Sequence, residues 1–284
     1  MPYSFDPPPN SECSICKGNG FFIDSKRQLA HATKCSCVPE CKRCGGSGFI
    51  VLQNNGVQKA GRCRCQKITD RINIFNAAKI PAIHGANDFV NFEANSVAAT
   101  RSKVVCSKWC SAFGTGKDTR GLILTGNVGR GKTHLLIGII KELIFSHGKR
   151  IRFIEFSRLL NELRAAYSKG NSDSNILDEL ASVPILAIDE LGKGRLTDWE
   201  QSIIDEVVSR RYNGLKPIIG TTNFSWGVNT GREHINLAQS DFELHSLGDR
   251  VGNRAFSRLQ QMCFYYDVKG NDFRAMRSQS LELM

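Results

Sequence analysis

No apolar run in this chain approaches 18 residues, so nothing in it reads as a membrane-spanning helix and no membrane partner is expected. The first residues, MPYSFDPPPN, hold neither a basic start nor an apolar block, which argues against a secretory signal. Their prolines predict a short extended tail over residues 1–12, and the expected location is cytoplasmic. Carboxylates are in short supply: 27 Asp and Glu stand against 38 Lys and Arg, a formal net charge of +11. A surplus of that sign suits a polyanionic partner. Cysteine is scarce over most of the length. Only Cys106, Cys110 and Cys263 lie beyond residue 65, whereas eight of the eleven fall between Cys13 and Cys65. In a reducing compartment such a cluster points to a metal site rather than to disulfides.

What the N-terminal stretch does have is a phrase written twice. CSICKGNGFF begins at Cys13 and CKRCGGSGFI at Cys41, an offset of 28 residues, and the same offset carries Cys35-Ser-Cys37 onto Cys63-Arg-Cys65. Zinc takes four soft ligands in a tetrahedron, and Cys-x-x-Cys places two thiolates on one tight knuckle. Glycines at 18, 20, 46 and 48 allow backbone angles that a side chain would forbid beside the metal. Between the pairs, FFIDSKRQLAHATKC and FIVLQNNGVQKAGRC both read as strand, polar turn and return strand. The simplest assignment is two zinc ions, one per repeat: Cys13, Cys16, Cys35 and Cys37, then Cys41, Cys44, Cys63 and Cys65.

The C-x-x-C-x-G-x-G phrase resembles the cysteine-rich zinc domain of DnaJ-type chaperones. That resemblance implies a rival grouping of Cys35, Cys37, Cys41 and Cys44, because there outer and inner motif pairs share metals. The family carries four full motifs, whereas two here are abbreviated to C-x-C, and a tandem copy should carry a complete site; the within-repeat grouping is preferred. His31 has Lys59 as its counterpart and reads as an exposed hairpin residue. A closed four-cysteine site has no open position for chemistry, so the zinc is read as structural, supplying folding energy that the few large apolar residues cannot. Eight thiolates and two zinc ions would bring the net charge from +11 to about +7.

The texture changes after Arg120. GLILTGNVGRGKTHLLIGIIKELI is an apolar strand, a glycine loop and an amphipathic helix, and its loop fits G-x-x-x-x-G-K-[ST]. Gly126, Asn127, Val128, Gly129, Arg130, Gly131, Lys132, Thr133 and His134 are expected to surround the phosphates of ATP with backbone N–H groups at a helix N-terminus. Lys132 would reach the β- and γ-phosphates, and Thr133 with Asp189 would hold Mg2+. Asp189 and Glu190 close a second apolar strand, PILAIDE; Glu190 would orient or deprotonate the attacking water. A third strand, PIIGTTN, ends in Thr222 and Asn223. Either could touch the γ-phosphate or the water, with Asn223 preferred. Strands alternating with helices predict an α/β fold, a central parallel sheet flanked by helices, with ligand at the strands' C-terminal ends. Ile203, Ile204, Val207 and Val208 recur at helical spacing and read as core.

The C-terminal third contains R-x-x-S-R-L, an apolar strand and G-x-D-[FY]-R, carried by Arg254, Ser257, Arg258, Leu259, Gly270, Asp272, Phe273 and Arg274. With the preceding motifs, and with IPAIHGANDFVNFE before them, this stretch resembles the DnaC-type AAA+ loaders of bacterial replicative helicases and their IstB-type transposition relatives. The resemblance runs from about Ile80 to Met276. It implies an arginine finger at Arg258 reaching a neighbouring subunit's ATP, with Arg254 as the competing position and self-assembly through the ATP sites. Arg274 would act in its own subunit, and Arg250 reads as a surface ion pair. SWGVNTGREHINLAQSDFELHS is longer than the family pattern, which leaves the finger's place open by a turn. The resemblance also implies a helicase-binding role for the zinc repeat, and single-stranded DNA contact through Arg158, Arg164, Tyr167 and Lys169, a basic and aromatic set suited to phosphates and bases.

The expected organisation is therefore a tail (1–12), a zinc-stabilised β-hairpin domain (13–66, repeats 13–40 and 41–68), a linker helix (67–79), an AAA+ P-loop ATPase domain (80–276) and a C-terminal tail (277–284). The expected function is ATP-dependent loading of a hexameric replicative helicase onto single-stranded DNA. Two rivals are a transposition helper ATPase binding target duplex DNA, and a chaperone-like adaptor that never hydrolyses ATP. The intact Asp189-Glu190 pair and Arg258 count against the adaptor.

Overall fold

The architecture comes from a computed structural model, which describes residues 3–54, 57–168, 174–227 and 246–273. The chain divides into two compact units, residues 1–86 with 141–150, and residues 87–140 with 151–284.

In the first unit, β1 (Phe21–Asp24) pairs antiparallel with β2 (His31–Lys34), and β3 (Phe49–Asn54) pairs antiparallel with β4 (Val57–Arg62). The registers repeat with the sequence: Phe21 faces Lys34 as Phe49 faces Arg62, and Ile23 faces Ala32 as Val51 faces Ala60. Helix α1 (Gln66–Ala77) buries Ile68, Ile72 and Phe75, the i, i+4, i+7 stripe of an amphipathic helix. It clasps the first hairpin through Asn76. The Ala32 N–H donates to Asn76 Oδ1 at 2.7 Å, and Asn76 Nδ2 donates to the Ala32 carbonyl at 3.1 Å. Residues 3–10 form neither helix nor strand, yet Phe5 is buried and Tyr3 lies 5.8 Å from the Phe21 ring. His31 is exposed, near Asn76.

In the second unit, β5 (Gly121–Thr125), β6 (Ile151–Glu155), β7 (Ile185–Asp189), β8 (Ile218–Thr221) and β9 (Cys263–Asp267) form one parallel sheet in the order β6-β7-β8-β5-β9. Strands covered on both faces need continuous apolar runs, and β5, β7 and β8 are buried at every position. The described helices are α2 (Val97–Gly114), α3 (Lys132–Phe145, whose last turn belongs to the first unit), α4 (Phe156–Ser168), α5 (Ser174–Ser182), α6 (Asp198–Asn213), α7 (Leu247–Val251) and α8 (Asn253–Met262). Ile203, Ile204, Val207 and Val208 of α6 lie in the core, as their spacing predicts. Arg211, fully buried, fixes the bases of two strands: its guanidinium donates to the carbonyls of Leu180, Val183, Pro184 and Pro217 at 2.6–3.1 Å. Burial without a carboxylate brings its pKa down to about 10. No helix among the described residues is long and apolar enough to cross a membrane.

Candidate nucleotide site and metal centres

Apolar β5 drives the chain into the sheet and ends at Thr125; the glycines that follow let it turn sharply before α3 begins at Lys132. Gly129 sits at φ +80°, and a Cβ there would stand 2.1 Å from an Asp272 carboxylate oxygen. The C-terminal motif thus rests directly on the loop, and the Phe273 N–H donates to the Gly129 carbonyl at 3.1 Å. Lys132, buried, donates to the carbonyls of Gly126 and Asn127, both at 2.7 Å. Val128 is half-exposed.

Thr133 and Asp189, 56 residues apart, meet here. The Thr133 hydroxyl lies 3.0 and 3.1 Å from the two Asp189 carboxylate oxygens, and the Thr221 hydroxyl donates to Oδ1 at 2.5 Å. Glu190 stands just beyond, at φ +56°, with its N–H donated to Thr221 Oγ1 at 3.0 Å and its carboxylate paired to Lys193 at 2.6 Å. A non-glycine residue held in the left-handed region costs on the order of 1 kcal/mol or more. The Glu190 carboxylate holds the Lys193 amine above its usual range. Thr222 is buried with its hydroxyl donated to the Leu191 carbonyl at 2.8 Å, whereas Asn223 is half-buried at the strand's end.

Three contributors escaped the sequence reading. Thr221 and Lys193 engage the acidic pair, and an aromatic wall forms beside the loop. His134 Nε2 faces the Asp88 carbonyl at 2.9 Å and Asn91 Oδ1 at 3.0 Å, and the Phe92 ring lies 5.3 Å from His134 and 6.1 Å from Phe273. Phe92 lies within the IPAIHGANDFVNFE stretch, which does not say where it packs; the fold brings it to α3.

The arginines separate by environment. Arg250 donates to the carbonyls of Gly192 and Gly194 and lies over the Phe224 ring. Arg258 is half-buried and paired to Asp205 of α6 at 2.9 Å. Arg254, one turn earlier on α8, is exposed and forms no ion pair among the described residues. Arg274 and Lys169 lie outside the described residues, as does most of the long segment after Trp226. On α4, Arg158 pairs with Glu162, and Arg164 pairs with buried Glu200 while covering the Trp199 ring; Tyr167, half-exposed, meets the same ring edge-on.

In the first unit, the Sγ atoms of Cys13, Cys16, Cys35 and Cys37 all lie within 4.8 Å of one another, as do those of Cys41, Cys44, Cys63 and Cys65. The grouping made by the fold is the within-repeat one. Sγ pairs between the two halves of each repeat stand 3.3–3.7 Å apart with every cysteine free, close to the roughly 3.8 Å edge of a tetrahedron with 2.3 Å zinc–sulfur bonds. The knuckles match: the Gly20 N–H donates to Cys16 Sγ at 3.3 Å, and the Gly48 N–H to Cys44 Sγ at 3.4 Å. The Cys16 and Ile15 N–H groups bring Cys13 down to about 6. Cys44, against the pull of burial, is brought to about 7 by the Gly48 N–H and its neighbouring thiols. Burial and the adjoining thiols push Cys37 and Cys65 up to about 12. Four soft donors in each group fit zinc, while the oxygens of Thr133 and Asp189 fit a hard cation such as Mg2+.

A family model described as IstB-like ATP binding protein matches residues 62–278. The replicative helicase loader DnaC of Escherichia coli (strain K12) is 26% identical over 150 residues, covering 52% of this chain and 60% of that protein. The DnaC loader of Buchnera aphidicola subsp. Schizaphis graminum (strain Sg) is 35% identical over 165 residues, covering 55% and 61%. The chain thus spans about three-fifths of the length of these relatives. Of solved structures, that of the DnaC helicase loader superposes with a TM-score of 0.54 at 25% identity, over 66% of this chain and 99% of the other. The DnaI structure, at TM-score 0.51 and 20% identity over 69% and 94%, shares the fold.

Proposed function

This chain belongs to the family of IstB-like ATP binding proteins, and from that premise we propose that it is an ATP-driven loader of a hexameric replicative helicase onto single-stranded DNA. The observation that carries the ATP half is the meeting of Thr133 and Asp189 at 3.0 Å beneath the glycine loop. The likeness to the DnaC loaders favours helicase loading over transposition.

In this reading the loop N–H groups and Lys132 bind the phosphates, and Thr133 and Asp189 hold Mg2+, which when bound neutralises phosphate charge. Glu190 takes the proton of the attacking water, and Asn223 positions that water. Phe92, Phe273 and His134 wall the base, and Arg274 acts in the same subunit. An arginine of α8 reaches the ATP of an adjacent subunit, so that turnover waits for assembly. The zinc repeats bind the helicase, and Arg158, Arg164 and Tyr167 of α4, together with Lys169 beyond its end, touch single-stranded DNA.

The test is loading of a purified replicative helicase onto circular single-stranded DNA. Wild type with ATP is expected to place helicase on the circle. Lys132→Ala is expected to lose ATP affinity about a hundredfold, since a charge-assisted contact worth about 3 kcal/mol is removed, and to load nothing. Stimulated binding of duplex DNA with no affinity for helicase would instead favour the transposition role.

The finger has its own check. Arg258→Ala is expected to retain ATP affinity and lose DNA-stimulated turnover by about a hundredfold or more. Because Arg258 must first leave Asp205, the comparison variant is Arg254→Ala. Stimulation surviving the first change and vanishing with the second would place the finger one turn earlier.

A further inference from the structure

The two zinc repeats are alike in register and unlike in burial. In the first, Phe21, Ile23 and Ala32 share one face of the hairpin, and Phe21 and Ala32 are 5% and 1% exposed. What covers that face is visible: the ring of Phe145, from the last turn of α3, stacks on Phe21 at 4.0 Å and 12°, with Tyr3 and Phe5 beside it. The equivalent face of the second repeat is Phe49, Val51 and Ala60. There Phe49 is 59% and Val51 70% exposed, and Ala60 is exposed as well. The pairing pattern and the apolar side chains are kept, and the cover is not.

From this asymmetry we infer that the Phe49–Val51–Ala60 face is a docking surface for an acidic amphipathic helix of a partner protein, which sets an aromatic or leucine side chain on Phe49 as Phe145 sits on Phe21. The inference rests on the loader reading and names the element by which the zinc repeats would grip the helicase. A helix is indicated because its internal twin already takes one. Acidity is indicated by charge: Cys41 to Cys65 contains Lys42, Arg43, Lys59, Arg62 and Arg64 and no carboxylate. Arg62 already pairs with Asp70, and the sequence stays positive after the two negative charges of a four-thiolate zinc site. A large apolar side chain left bare inside a polar rim marks a site of contact. Helix-in-groove recognition uses this combination of anchor and flanking charge.

The test uses the full chain and a purified hexameric replicative helicase. Phe49→Ser/Val51→Thr is expected to weaken helicase binding about tenfold or more, while zinc content stays at two per chain and ATP affinity is unchanged. Arg43→Glu/Arg62→Glu, which leaves the apolar side chains intact and reverses a charge on their own face of the hairpin, where Arg62 stands opposite Phe49, is expected to weaken binding as well, with the loss shrinking as salt rises. This second variant decides the matter should the first lose its zinc. Unchanged helicase binding in a two-zinc variant would overturn the docking surface and leave the loader reading standing. Absence of helicase binding by wild type would overturn both. Loss of single-stranded DNA binding, or of self-association, with helicase binding intact would assign the face to nucleic acid or to a second copy and sink the partner helix.

Discussion

A Glu190→Gln variant is expected to bind ATP with unchanged affinity and turn it over about 10²–10⁴-fold more slowly, the usual contribution of a positioned general base. The substitution keeps the length and shape of the side chain. The backbone at φ +56° and the N–H donated to Thr221 hold the residue in place without help from its charge. What is lost is the proton acceptor and the ion pair with Lys193. Phosphate release measured beside fluorescent-nucleotide binding separates the two effects. Turnover at the wild-type rate would remove Glu190 as the base, and lost binding would mean that it serves the loop rather than the water.

Replacing Cys63 with Ser should reduce zinc from two to one per chain and unfold the second repeat while leaving the nucleotide site intact. The reason is the near absence of any other core. Among the described residues from Cys41 to Cys65, Cys63 supplies the only buried hydrophobic side chain, and a two-stranded hairpin alone is marginal in water. A structural zinc site contributes on the order of 10 kcal/mol of folding free energy, so nothing local can replace it. Zinc quantification with limited proteolysis reads the outcome: cleavage confined to residues 41–65, with ATP affinity retained. Resistance to protease after loss of the metal would show that packing, not zinc, holds the repeat. The first repeat offers the contrast, because Phe21 and Val38 are buried there, and its loss of zinc should be less complete in effect.

The residues legible in the sequence are those whose chemistry imposes a short spacing. Two thiolates on one metal must sit on a knuckle, so Cys13 and Cys16 are three apart. A phosphate cradle must be built from consecutive N–H groups, so Gly126 to Thr133 is one phrase. Asp189 was readable because an apolar strand has to deliver it to the sheet's C-terminal edge. Thr221, by contrast, looked like part of a strand end, and only its 2.5 Å bond to Asp189 gives it a place in the site. Lys193 carried no pattern at all, and Phe92, although inside the IPAIHGANDFVNFE stretch, gave no sign of its packing partner.

The sequence by itself determined the eight cysteines of the zinc repeats, the glycine loop, the acidic pair and the alternation that makes a parallel sheet, since each follows from local periodicity or short spacing; which four cysteines share a site was decided by the fold. Only the tertiary structure decided that Arg258 is tied to Asp205 while Arg254 faces solvent. It alone decided that Phe21 is covered and its copy Phe49 is bare. Both outcomes depend on which distant segment packs where. Two phrases of the same spacing can meet different surroundings, and burial is a property of the surroundings.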